Sequence, residues 1–224
     1  MTFSLSARDP RTGAFGMVIS SSSPAVAARC LHLRPGFGAV ASQNITDPAL
    51  GVQALDHLEL GDSAQDAVDT AVRRQQFPQF RQLTAVDRAG RVAVFTGAQV
   101  LGLHAVARGD QCIAAGNLLA DTAVVHALVD AFEASRAETF EQRLLDGFDG
   151  AVAAGGEAGP IRSAGLAVVD DLSWRTTDLR VDDAEDPSGE LHRLLDLWLP
   201  QKEDYRTRAL DPTAAASYGV PGDE

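Results

Sequence analysis

Lysine is almost missing from this chain. Of its 19 basic residues 18 are arginine, and the single lysine, Lys202, stands near the end of the 224 residues. A Schiff-base lysine, a phosphate-loop lysine or a lysine-tuned nucleophile must therefore be Lys202 or be absent, and no G-x-x-x-x-G-K-[ST] loop exists. Cysteine is scarce as well. Cys30 and Cys112 form no C-x-x-C pair and keep no zinc-finger spacing to a histidine. They read as two buried thiols, with a disulfide left open. His32, His57, His104, His126 and His192 are scattered without an H-x-x-x-H, so spacing offers no metal site and the expectation is no metal and no cofactor. Positive charge is in deficit: 31 acidic residues against 19 basic give a net charge of -12. That argues against nucleic acid and anionic membrane surfaces, both of which are held by Lys and Arg. Apolar runs fall far short of a membrane span. The opening MTFSLSARDP lacks the basic-then-apolar pattern of a leader, so a cytoplasmic protein is expected.

What is present suits one domain with a sizeable core: 45% of the residues are apolar. The acid is concentrated. Residues 170–204 hold 11 Asp and Glu against 4 Lys and Arg, more than half of the excess. The domain is expected over residues 1–200, with an irregular tail over 201–224.

The hydrophobic pattern alternates strands with helices in pairs. Residues 2–8 and 14–21 alternate as half-buried strands around the turn Asp9-Pro10-Arg11-Thr12-Gly13. A short strand at 37–43 leads to a helix capped by Asp47 with Pro48 in its first turn. Ser63 and Asp66 have the spacing of a capping box that opens a second helix to about Arg74. Residues 81–87 and 91–96 flank Arg88-Ala89-Gly90 as a hairpin. Strands near 99–105 and 110–115, helices near 118–134 and 138–153, strands near 163–169 and 175–181, and a helix near 188–199 follow. This is not the strict alternation of a parallel doubly wound sheet. An α+β arrangement of two antiparallel sheets, covered on both outer faces by helix pairs, fits better.

Five stretches in this order, MTFSLSARDPRTGAFGM, PGFGAVASQNITDPALG, DRAGRVAVFTG, AAGNLL and AAGGEAGPIRSAGLAVV, resemble the bacterial family called domain of unknown function 1028. The resemblance covers about residues 1–200. That family is similar in fold to the N-terminal nucleophile (Ntn) hydrolases, which implies a four-layer αββα sandwich. It also implies a nucleophile on the first residue, whose own α-amine acts as base. Thr2 meets that requirement once Met1 is removed, and a small second residue favours the removal. Thr2 can equally be the plain start of an edge strand. The proteasome-like relatives place a lysine beside the threonine, and this chain has none in that region; Arg29 or Arg34 is left to supply charge, without exchanging protons near neutral pH.

Other candidates gather at strand ends. Ser21, Ser22 and Ser23 can donate to a substrate or simply end a strand. Gln43 and Asn44 carry uncharged amides that can polarise a carbonyl, although Asn44 can also cap the helix near Pro48. Asn117 follows Gly116 at another strand end, as a site residue or a cap. His104 reads as structural, and the carboxylates at 182–186 read as a solvated loop. Related sequences show a basic and an aromatic residue where this chain has Ser22 and Ser23, an Asp at Glu157 and a Gln near Arg162, while Ser163 keeps the match. The expectation is a hydrolase of an amide bond in a small molecule. The alternative is a small-molecule-binding protein on the same scaffold with Met1 retained; a metal-dependent hydrolase built on internal His and carboxylates is a weaker third reading. A homodimer is the default assembly.

Overall fold

The first hairpin folds as its residues dictate. In the computed structural model, which describes residues 1–220, β1 (Thr2–Arg8) and β2 (Phe15–Ser21) pair antiparallel. In the turn between them, the Asp9 carboxylate accepts the Arg11 backbone N–H and the Thr12 hydroxyl, and Gly13 takes φ +80°. The stretch after Pro24 divides into α1 (Val26–Cys30) and β3 (Leu31–Arg34). β4 (Gly38–Asn44) follows, then α2 (Pro48–Glu59) with Asp47 accepting the Ala49 N–H at 3.0 Å. α3 (Ala64–Arg73) opens on Ser63, whose hydroxyl takes the Asp66 N–H at 3.2 Å, as the capping box requires.

β5 (Arg81–Asp87) and β6 (Val92–Thr96) form the expected hairpin. The next pair begins later than the pattern suggests, as β7 (Ala105–Gly109) and β8 (Cys112–Asn117). Residues 97–104 are an irregular strap instead. Gly97 lies so close to the Gln79 carbonyl that a Cβ would stand 2.3 Å from its oxygen, and the N–H groups of Gly97, Gln99 and Val100 bond to the carbonyls of Arg81, Gln79 and Gly97 rather than along a partner strand. α4 (Ala123–Ala134) also starts late, because Leu118 adopts a left-handed φ of 50°. α5 (Phe140–Ala153), β9 (Ser163–Val169), β10 (Arg175–Val181) and α6 (Pro187–Trp198) lie close to where they were expected.

Two antiparallel sheets result, in the orders β10-β9-β2-β1-β8-β7 and β3-β4-β5-β6. β1 is therefore a central strand, paired on both sides, rather than an edge. Its alternation divides the molecule. Phe3, Leu5 and Ala7 point to α4 and α5, in a core with Leu128, Leu144 and Phe148. Thr2, Ser4 and Ser6 point to the second sheet, which packs its own outer face, Val40, Leu83 and Ala85, beneath α2 and α3. The space between the sheets is apolar at one end, with Phe15, Ala39, Val86, Ile113 and Val169, and polar at the end where the chain begins.

The expected irregular tail is partly helical: α7 spans Lys202–Leu210. Its first residue is the lone lysine, whose ammonium meets the buried Glu141 carboxylate at 2.7 Å. Glu141 also accepts the Thr177 hydroxyl at 2.7 Å, and Thr177 accepts the Trp198 indole N–H at 3.1 Å. Removing one partner of such a pair strands a buried charge. Lys202→Met is expected to lower stability by about 2 kcal/mol, reduced from a fully buried pair by the partial exposure of the ammonium. That is roughly a 4–8 °C fall in Tm at this chain length. An unchanged melting curve would show the pair to be immaterial.

Candidate functional site

Six strands begin or end together at the polar end of the molecule. In the first sheet Thr2 lies directly between Ser21 of β2 and Asn117 of β8, and Ser21 pairs in turn with Ser163 of β9. In the second sheet Gln43 pairs with Gln82. All six side chains are buried, with Thr2 6% exposed and the two glutamines fully covered. Backbone strain gathers here too. Three non-glycine residues at positive φ follow these strand ends: Ala25 after the serines, Asn44 after Gln43 and Leu118 after Asn117.

The hydroxyl of Thr2 donates to the carbonyl oxygen of Met1 at 2.5 Å and lies 3.3 Å from Ser21 Oγ. Ser21 also donates to that carbonyl, at 2.6 Å. Behind Ser21 stands Ser23 at 2.9 Å, and Arg29 Nη2 donates to Ser23 Oγ at 3.0 Å. A guanidinium has only donors, and each hydroxyl has one proton. The proton order therefore runs from Arg29 through Ser23 and Ser21 to the carbonyl oxygen, each bond polarising the next. Ser22 takes a different part. Its backbone N–H donates to Glu157 Oε2 at 2.8 Å, and Ser20 donates to Glu157 Oε1 at 2.7 Å.

A buried amide network lies across the sheet interface. Gln82 Nε2 donates to the Gly116 carbonyl at 3.3 Å, which can only accept and so fixes the orientation of the Gln82 amide. Gln82 Oε1 then receives Gln43 Nε2 at 2.9 Å and Asn117 Nδ2 at 3.2 Å. Gln43 Oε1 receives Ser4 Oγ at 2.7 Å. Gln43 and Asn117 are thus brought together beside Thr2. Asn44 is not. Its amide donates to the Phe80 carbonyl at 2.6 Å and accepts the Leu101 N–H at 3.2 Å, pinning the strap of residues 97–104. Nor does Asn44 cap the helix, a role taken by Asp47.

Ser4 and Gln82 were not singled out from the sequence. The Thr2-Ser4-Ser6 alternation was the available signal for the first, and the Gln82-Thr84 alternation near the start of β5 for the second. Glu157 is buried at 5% exposure, so the loop that departs from related sequences reaches the site after all. Arg34 pairs instead with Asp56 and Glu59 at the surface, and Arg162 with Asp183. His104 precedes β7, exposed, with Nδ1 3.1 Å from the Gly102 carbonyl. Both thiols are free and buried. Burial, with Glu133 nearby, pushes Cys112 up to about 12, and burial pushes Cys30 up as well. Among the described residues no three His, Cys, Asp or Glu side chains are grouped to hold a metal ion, and no helix is long and apolar enough to cross a membrane.

Burial also raises the Glu157 carboxyl above its ordinary 4.5; the Ser20 hydroxyl, the terminal ammonium and the Ser22 N–H offset this only in part. The sign follows. As pH rises above 4.5 the unfolded chain ionises first, so native stability falls until the folded group has ionised too. Glu157→Gln escapes this loss and can keep both hydrogen bonds. Its Tm relative to the parent is expected to rise as pH climbs above 4.5, through the range where the parent loses stability. Thermal melts across that range test it; a difference that does not change with pH would refute it.

Fold and site together define a protein of two antiparallel sheets with helices, carrying a threonine-led polar site where its central strand begins. The chain belongs to the family of unknown function DUF1028, whose model matches residues 2–191. It is 33% identical to protein SPO2555 from Silicibacter pomeroyi, of the same family, over 88% of each chain, with a TM-score of 0.82. An Anbu mutant from Hyphomicrobium sp. strain MC1 matches 90% of this chain and 96% of its own at 13% identity, with a TM-score of 0.42. Anbu (ancestral beta-subunit) from Yersinia bercovieri matches 89% of this chain and 95% of its own at 11% identity, with a TM-score of 0.39. No curated protein matches the chain.

Proposed function

We propose that this protein hydrolyses a C–N amide bond in a small molecule, with Thr2 as nucleophile after loss of Met1, on the four-layer αββα scaffold of the N-terminal nucleophile hydrolases. The observation that carries the reading is that the hydroxyls of Thr2 and Ser21 meet on one carbonyl oxygen, at 2.5 and 2.6 Å. With Met1 gone, the acyl carbonyl of a substrate enters beside the freed α-amine, within reach of the Thr2 and Ser21 hydroxyls. A free α-amine, with an ordinary pKa of about 7.7–8.0, accepts the Thr2 proton near neutral pH. Oγ1 forms an ester with the acyl carbon, and the amine product leaves with the proton. Water then splits the ester.

Negative charge that develops on the oxygen is met by Ser21, which the relay from Arg29 polarises. Arg29 thus supplies the positive field that lysine provides in the proteasome-like relatives, but it holds its own protons. All proton transfer falls on the α-amine. Gln43 and Asn117, locked by Gln82, form the uncharged wall of the pocket.

The first test is the intact mass of the purified protein. A mass one methionine residue short of the translated chain is expected. Full retention of Met1 removes the amine and with it the mechanism, and leaves a ligand-binding protein.

A further inference from the structure

We infer that the site recognises an α-aminoacyl group, so that the substrate is an amide of an amino acid whose own α-amine is free and protonated. The inference rests on the hydrolase reading above and names the substrate class for that site.

The argument begins with where Glu157 stands. Along β8, Thr2 pairs with Asn117, and Glu157 pairs with Leu119, two positions further on. The bridge is closed by the Ala158 N–H on the Leu118 carbonyl at 2.9 Å and the Ala120 N–H on the Gly156 carbonyl at 3.0 Å. On its other side Glu157 reaches Ser20 of β2 and Ser22 just past its end. It therefore lies between β2 and the continuation of β8, in line with β1, with room for one residue between itself and Thr2.

Met1 fills that room and shows what the space accepts. Its carbonyl takes the two hydroxyls, and its ammonium is the positive charge that acts on Glu157. Its side chain lies over Gly159, where a Cβ would stand 2.7 Å from the methionine Cε. An aminoacyl unit set just beyond the freed α-amine of Thr2 meets the same groups: hydroxyls of Thr2 and Ser21 for its carbonyl, Glu157 for its ammonium, and a glycine beneath its side chain.

No side-chain cation among the described residues accounts for the carboxylate. A glutamine would satisfy Ser20 and Ser22 equally well, without the cost of a buried charge. Among the described residues no arginine or lysine pairs with Glu157, although Arg29 is held on Ser23, the residue after Ser22. Glu157 also lines an open cavity of about 320 Å³ whose wall includes Glu185 and Asp186 and neither lysine nor arginine. When Met1 departs, the charge of Glu157 faces the new α-amine of Thr2 and, beyond it, the ammonium of an incoming aminoacyl group. In the reaction, Thr2 Oγ1 bonds to the aminoacyl carbon as the C–N bond breaks and the amine leaves with a proton. Water then releases the free amino acid.

The experiment separates recognition from turnover. Protein that begins at residue 2 is prepared by cleaving an amino-terminal fusion, as the parent and as Thr2→Ala. Calorimetry on the Thr2→Ala protein compares L-methioninamide with N-acetyl-L-methioninamide. The free amine is expected to bind about ten-fold more tightly or better. Glu157→Gln is expected to bring the two within about two-fold, and Glu157→Asp to keep the preference. Equal binding of the two ligands, binding of neither at millimolar concentration, or a preference that survives Glu157→Gln would overturn the inference. The parent is then assayed on L-methionine p-nitroanilide and its N-acetyl form. Selective binding with no hydrolysis of either would sink the hydrolase reading and leave aminoacyl recognition standing.

Discussion

Thr2→Ala is expected to lower kcat for amide hydrolysis by at least about a thousand-fold while the protein remains folded. The size follows from what the hydroxyl does. Without it no acyl-enzyme forms, and only binding and the Ser21 donor remain to favour attack by water. The fold survives because Thr2 contributes little to the core. It begins its strand, and the neighbouring anchor is Phe3, packed on Phe148 with ring centroids 5.5 Å apart. A shift in Tm equivalent to no more than about 1 kcal/mol is expected. Thr2→Ser keeps the nucleophile and is expected to retain activity within about ten-fold. In the parent, kcat/KM should rise with pH as the α-amine deprotonates and reach a plateau above its ordinary range of about 7.7–8.0. Undiminished hydrolysis by Thr2→Ala of every substrate the parent cleaves would end the proposal, whatever the intact mass had shown.

Thr2 was singled out by the resemblance to a family whose fold implies a nucleophile on the first residue, not by periodicity. Elements closed by neighbours were legible in the residues themselves. The Asp9 to Gly13 turn, the Asp47 and Ser63 caps and the Arg88-Ala89-Gly90 hairpin are each decided within a few residues, and each formed as its chemistry requires. Features settled across the fold were not. Whether β1 is central depends on β8, more than a hundred residues away. Asn44 had two plausible local roles and took a third, because the strap of residues 97–104 arrives from the far side of the second sheet. The late starts of β7 and α4 follow from the same strap and from the left-handed turn at Leu118, neither of which hydrophobic periodicity reports. Even the lone lysine changed meaning. Its absence from the amino-terminal region bears on the chemistry of Thr2, whereas Lys202 itself holds α7 to Glu141.

Gln82 was the least legible part of the site, and it carries the largest stability effect expected. Gln82→Leu keeps the volume and removes one acceptor and one donor. Gln43 Nε2, Asn117 Nδ2 and the Gly116 carbonyl then lose their partner at once in a fully buried place. Each such group left unpaired costs about 1–3 kcal/mol, and added leucine packing recovers part of the sum. A net loss of about 3–5 kcal/mol is expected, or roughly 6–20 °C in Tm. Two outcomes distinguish a network from a set of independent bonds. If the amides act as one unit, Gln43→Leu in the Gln82→Leu background adds far less than it does alone, because its main partner is already gone. If they act separately, the two losses simply add. Chemical denaturation of the single and double variants decides between them. Activity should follow the same coupling, because Asn117 has no other side-chain bond among the described residues to hold it beside Thr2. Full activity in a folded Gln82→Leu protein would exclude Asn117 from the pocket and leave Thr2, Ser21 and Glu157 as the working part of the site.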